Sequence, residues 1–114
     1  MTLHWKLEYC PNKRIVGIHL SEQIPDSVYD STTPEFLEFS SLIRNTHGVD
    51  GFSHSRKYAL YVEPAQCISR EITVQNVIEA CCAWFYSKGI TFDTIQRGDN
   101  IDHASIHTPK GLHV

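Results

Sequence analysis

No C-x-x-C pair occurs in this chain, no glycine-rich loop of the phosphate-cradling kind, and no apolar run near the ~20 residues that a membrane span requires. Each absence removes a class of function. Without C-x-x-C, a zinc knuckle and a thioredoxin-type dithiol are disfavoured. The six glycines, at 17, 48, 51, 89, 98 and 111, are scattered, so neither a Walker loop nor a dinucleotide fingerprint can be assembled from them. Positive charge is also scarce. Ten Lys+Arg against thirteen Asp+Glu give a net charge of -3, which argues against a broad polyanion-binding surface. The N-terminal MTLHWKLEYC lacks the basic-then-apolar order of a secretion signal. The expectation is a soluble protein of the cytoplasm. Cys10, Cys67, Cys81 and Cys82 then read as thiols in a reducing compartment, because their spacing is not that of a disulfide framework.

What is present is a patterned chain of 114 residues, enough for one domain. Leu3, Trp5, Leu7 and Tyr9 alternate with polar residues, the period of a half-buried strand. Cys10-Pro11-Asn12-Lys13 supplies turn chemistry, and the β-branched run Arg14 to Leu20 resumes as a strand, completing a hairpin. Residues 21-33 have no periodicity and read as a crossing loop. A helix follows, with Thr32 or Thr33 as cap, Pro34 in the first turn, an apolar stripe of Phe36, Phe39, Leu42 and Ile43, and Gly48 as its stop. Val49 to Ser55 and Tyr58 to Glu63 read as a second hairpin closed by Pro64.

A second helix is expected from about Thr73, with Val74, Val77, Ile78, Cys81, Cys82 and Phe85 as its stripe and Gly89 as terminator. Ile90 to Ile95 alternates again as a last strand. The order is therefore β-β-α-β-β-α-β. Two helices with one apolar stripe each must cover the same face of a mainly antiparallel sheet, giving an α+β two-layer sandwich of ferredoxin-like split β-α-β type. The domain is expected over residues 1-98, with 99-114 as a C-terminal tail.

The Pro11-Asn12 turn of the first hairpin, the helix running into Gly48-Val49 ahead of a strand pair, and the helix ending Ala83-Trp84-Phe85-Tyr86-Ser87-Lys88-Gly89-Ile90 carry a resemblance. Over residues 9-90 the chain resembles the N-terminal domain of Nfu-type iron-sulfur scaffold proteins. The resemblance implies the fold and a protein-binding or accessory role. It implies no cluster ligand, because the family's C-x-x-C lies in a separate domain that has no counterpart here.

Three groups of residues bear on function. His54, Arg56 and Lys57 at the second hairpin, with Tyr61, place cations beside aromatics, the ingredients of a nucleic-acid surface, although YALYVEP lacks the glycine and basic start of an RRM motif. Trp84 and Tyr86 lie off the main stripe of the second helix, where exposed aromatics suit a protein interface or a homodimer. His103 and His107, four apart, could face one side of a helix as metal ligands. No nucleophile has an activating base nearby, and a thiol on a buried stripe is inert, so no enzyme and no cofactor are expected. The leading expectation is a non-catalytic module that binds another protein. The alternatives are nucleic-acid binding through Arg56-Lys57 and metal handling through the histidine tail; a membrane partner is not expected.

Overall fold

The computed structural model describes residues 1-11, 14-24, 28, 32-55 and 57-101, with backbone alone for Ser53, His54 and Ser55. The elements are β1 (Thr2–Tyr9), β2 (Val16–Leu20), α1 (Pro34–Arg44), β3 (Val49–Ser55), β4 (Ala59–Pro64), α2 (Arg70–Ser87) and β5 (Thr94–Arg97). They form one five-stranded sheet in the order β3-β4-β2-β1-β5, with two helices, an α+β sandwich. β1 and β2 pair antiparallel, as do β2 with β4 and β3 with β4, while β5 runs parallel to β1. The central strand is β2. Periodicity alone does not decide between β1 and β2 for that place, which is set by the pairing of β2 with both β1 and β4.

Strand alternation places the core. Leu3, Trp5 and Leu7 of β1, Val16, Ile18 and Leu20 of β2, and Leu60 and Val62 of β4 point to one side and are buried with Phe39 and Ile43 of α1 and Val74, Val77, Ile78, Cys81, Trp84 and Phe85 of α2. Ile24 and Val28, from the crossing segment, join the same cluster.

Thr33 is the residue that caps α1: its hydroxyl accepts from the Phe36 N–H at 3.3 Å, and Pro34 occupies the first turn, where its missing N–H leaves no orphan donor. The helix ends at Arg44, short of Gly48. Gly48 instead turns the chain into β3 at φ 92, and its carbonyl accepts from both the Ala65 N–H at 2.8 Å and the Thr73 hydroxyl at 3.0 Å. One glycine thereby joins the entry to β3, the exit from β4 and the start of α2.

That second helix begins at Arg70, three residues earlier than the apolar stripe suggests, since Arg70, Glu71 and Ile72 face solvent and fall off the stripe. It closes on Gly89, where the Ile90 N–H reaches the Phe85 carbonyl at 2.9 Å and the Gly89 N–H reaches Tyr86 at 3.0 Å, the paired bonds of a Schellman motif. The last strand is Thr94–Arg97 rather than Ile90 to Ile95. Ile90 and Phe92 pack against the core from the connection, Phe92 edge-on to Phe85 at 5.6 Å. Pairing along β1 continues past β5, the Gly98 N–H bonding Trp5 and the Ile101 N–H bonding Leu7, each at 2.7 Å.

At the start of β1 the Met1 ammonium meets the Asp93 carboxylate at 2.7 Å. Its hydrogen bond and charge hold that carboxyl below its ordinary range, so the contact is present above that range and fades as pH falls.

Candidate functional site

With both helices on one side, the other side of the sheet is built from the alternate positions: His4, Lys6 and Glu8 on β1, Gly17 and His19 on β2, and Ala59, Tyr61 and Glu63 on β4. Register assembles a polar network there. Gly17 pairs with Glu8 on one side and Tyr61 on the other. Having no side chain, it lets the Tyr61 ring lie across it; a Cβ at Gly17 would stand 2.9 Å from Tyr61 Cε1. The Tyr61 hydroxyl thus donates to Glu8 Oε1 at 3.1 Å, and His19 Nε2 donates to the same oxygen at 2.7 Å. Glu8 is 6% exposed, an acid tolerated in that position because both donors converge on it.

The network has a stability signature. Glu8→Ala removes the acceptor shared by Tyr61 and His19 and is expected to cost about 2 kcal/mol, while Glu8→Gln retains an acceptor and costs about 1 kcal/mol. Urea denaturation compares the two, and equal losses would show that the carboxyl's size, not its hydrogen bonds, matters.

Beside the network lies a groove of about 550 Å³ lined by His4, Lys6, His19, Leu20, Ser21, Gly98 and Ile101. Ser21 fixes its end, its hydroxyl accepting from the His4 N–H at 2.9 Å and its own N–H bonding the His4 carbonyl at 2.9 Å. The Lys6 stem lies along Gly98, close enough that a Cβ there would be 3.0 Å from Lys6 Cε. Among the described residues no group of three or more His, Cys, Asp or Glu is placed to hold a metal ion. Cys10, two residues beyond Glu8 in the chain, is half-buried, and burial together with the Glu8 charge pushes its thiol up.

The residues singled out by sequence scatter. Trp84 is a correction: it is 4% exposed, edge-on to Phe39 at 5.1 Å and to Phe85 at 5.6 Å, so it is core rather than interface. Its position three after Cys81 already puts it on the stripe by helical spacing. The flank position belongs to Cys82, which is half-buried; burial and the Glu79 charge raise its thiol, and burial raises that of Cys81. Tyr61 is buried on Glu8 and offers no ring to a base. Lys57 is exposed, its ammonium 5.9 Å from the Tyr58 ring. Tyr86 is 71% exposed, beside a second, smaller groove of about 280 Å³ that includes Cys82, Phe92 and Ile95. His54 pairs with Tyr61 across β3 and β4, and its side chain lies outside what is described, as Arg56, His103 and His107 do altogether.

No family model, curated protein or solved structure matches this chain. The geometry must therefore stand alone. Sequence reasoning passed over His4, Lys6, Glu8, Gly17 and His19. Their signal was available in part, as the polar half of the alternation in β1 and β2; the register that sets Glu8, Gly17 and Tyr61 in one row was not. No helix among the described residues is long and apolar enough to cross a membrane.

Proposed function

We propose that this chain is a small non-catalytic protein-binding module, an adaptor, scaffold accessory or inhibitor of a larger protein, that docks through the helix-free face of its sheet. The observation that carries the reading is the groove over β1 and β2, walled by positions of those two strands together with Ser21, Gly98 and Ile101, to which neither helix contributes. A rigid sheet supplies a preorganised surface, which lowers the ordering cost of association. The proposed kinship with the N-terminal domain of Nfu proteins, carried by Pro11-Asn12, Gly48-Val49 and the helix into Gly89-Ile90, leads to the same accessory role. A cytoplasmic setting suits the four unpaired thiols.

The test is selection from a random peptide display library on the purified protein. Two variants localise the contact: Gly98→Leu fills the groove without changing charge, and Leu37→Glu marks the helix layer, where Leu37 is 65% exposed. The expected result is an enriched pool that Gly98→Leu no longer retains and Leu37→Glu retains in full. Failure to enrich any pool, or a pool lost with Leu37→Glu alone, overturns the proposal. Light scattering of the same sample reports whether the partner is a second copy.

A further inference from the structure

We propose that the groove on the helix-free face receives an extended acidic segment of a partner protein, with a carboxylate of that segment on the Lys6 ammonium between His4 and His19. The inference rests on the docking reading above and adds the chemistry of the partner.

Charge within the groove is one-sided. Its lining residues include Lys6, His4 and His19 and no carboxylate. Glu8, on the same face, accepts from Tyr61 and from the lining His19 and is 6% exposed, so its carboxylate is engaged away from Lys6. Three of the described cations meet acids, Arg14 with Glu63, Arg97 with Glu71 at 2.7 Å and Lys88 with Glu38 at 3.5 Å, while Arg44 and Lys57 stand outside the groove. Lys6 has no such carboxylate among the described residues, although it lies exposed in the middle of β1. Its stem is laid along Gly98, so a chain-length of methylenes is held in place and the ammonium alone remains to be satisfied.

Shape points to a peptide. Ile101 gives the groove an apolar contact, and an extended segment laid along β1 or β2 would present alternate side chains to it. A nucleic acid finds less here: no Phe, Tyr or Trp lines the groove for a base to stack on, and the chain's net charge of -3 repels a polyanion at longer range. A short acidic peptide meets the local positive charge with far less of that repulsion.

The probe is a fluorescein-labelled peptide of alternating Glu and Val, about ten residues long, matching the reach of a strand across the sheet. Its counterparts carry Gln or Lys in place of Glu, and a single-stranded oligouridine of equal length represents nucleic acid. Fluorescence polarisation is expected to show binding of the Glu peptide, weakened about tenfold or more by the Gln replacement and by raised salt. Lys6→Gln is expected to weaken it about fivefold or more, and Lys6→Arg to retain it, since the cation is kept.

No binding of the Glu peptide, equal binding of the Gln peptide, tighter binding of oligouridine, or an unchanged affinity in Lys6→Gln each overturns the inference. Because Lys6 is exposed, circular dichroism should show both variants folded. The library selection separates the two proposals: a pool of neutral or basic peptides blocked by Gly98→Leu leaves the docking face standing and removes the acidic partner, whereas an empty selection removes both.

Discussion

Gly48→Ala is expected to lower stability by about 3 kcal/mol, the sum of left-handed backbone strain in a non-glycine residue and a steric collision in a packed site. At Gly48 the backbone has φ 92, and a Cβ would stand 2.4 Å from Thr73 Oγ1 and 3.3 Å from Thr73 Cβ. Thr73 cannot swing away freely. It is fully buried, β-branched, and its hydroxyl is committed to the Gly48 carbonyl at 3.0 Å. Relief of the clash would therefore break a buried hydrogen bond.

Gly89 provides the control, with a similar φ of 85 and nothing within 4 Å of the position a Cβ would take. Gly89→Ala should cost about 1 kcal/mol, the backbone share alone. In thermal melts the expected shifts are roughly 10–15 °C for Gly48→Ala and about 4 °C for Gly89→Ala. Equal shifts at the two sites would show that the junction between Gly48 and Thr73 relaxes, and that it does not tie α2 to the β3 turn.

Phe39→Ala should be the costlier change, about 3–5 kcal/mol, because a large buried ring is removed from a site whose aromatic neighbours come from two other elements. Phe39 of α1 is fully buried, edge-on to Trp84 of α2 at 5.1 Å and to Phe52 of β3 at 6.2 Å. Such a site cannot collapse by moving one side chain. Phe39→Leu, which conserves most of the apolar volume, should cost about 1–1.5 kcal/mol.

Urea titrations give the two losses. Tryptophan emission supplies an independent reading, since the Trp84 indole Nε1 is buried without a hydrogen-bond partner and a cavity beside it would admit water. A red shift in Phe39→Ala with none in Phe39→Leu is the expected pattern. A loss below about 1.5 kcal/mol for the alanine variant would mean that the helix layer is held by the sheet rather than by this aromatic junction.

Legibility in the sequence followed the range of the interaction responsible. The α1 start was readable at Thr33-Pro34-Glu35 because a cap is satisfied within three residues of itself. Leu3, Trp5 and Leu7 were readable as one buried face because alternation is a property of a single strand. The end of α2 was readable at Gly89 for the same local reason, a backbone that must turn at positive φ.

The misplacements had a common source. β5 was expected over Ile90 to Ile95, where the apolar residues are, yet the pairing runs over Thr94–Arg97, because β1 supplies the partner from the other end of the chain. Trp84 was expected on a surface, and Phe39 from α1 covers it. Tyr61 was expected to face a ligand, and Glu8, 53 residues away, holds its hydroxyl.

From the chain alone come the number and kind of elements, the two apolar helix stripes and the two-layer α+β arrangement, since burying amphipathic faces leaves few alternatives. The tertiary structure decided the strand order β3-β4-β2-β1-β5, the parallel docking of β5, the row Glu8-Gly17-Tyr61 with His19 beside it, and hence a groove on the helix-free face whose Lys6 meets no carboxylate among the described residues. Periodicity reports which side of an element is buried. It carries no record of which element lies alongside, and that is the information from which a site is made.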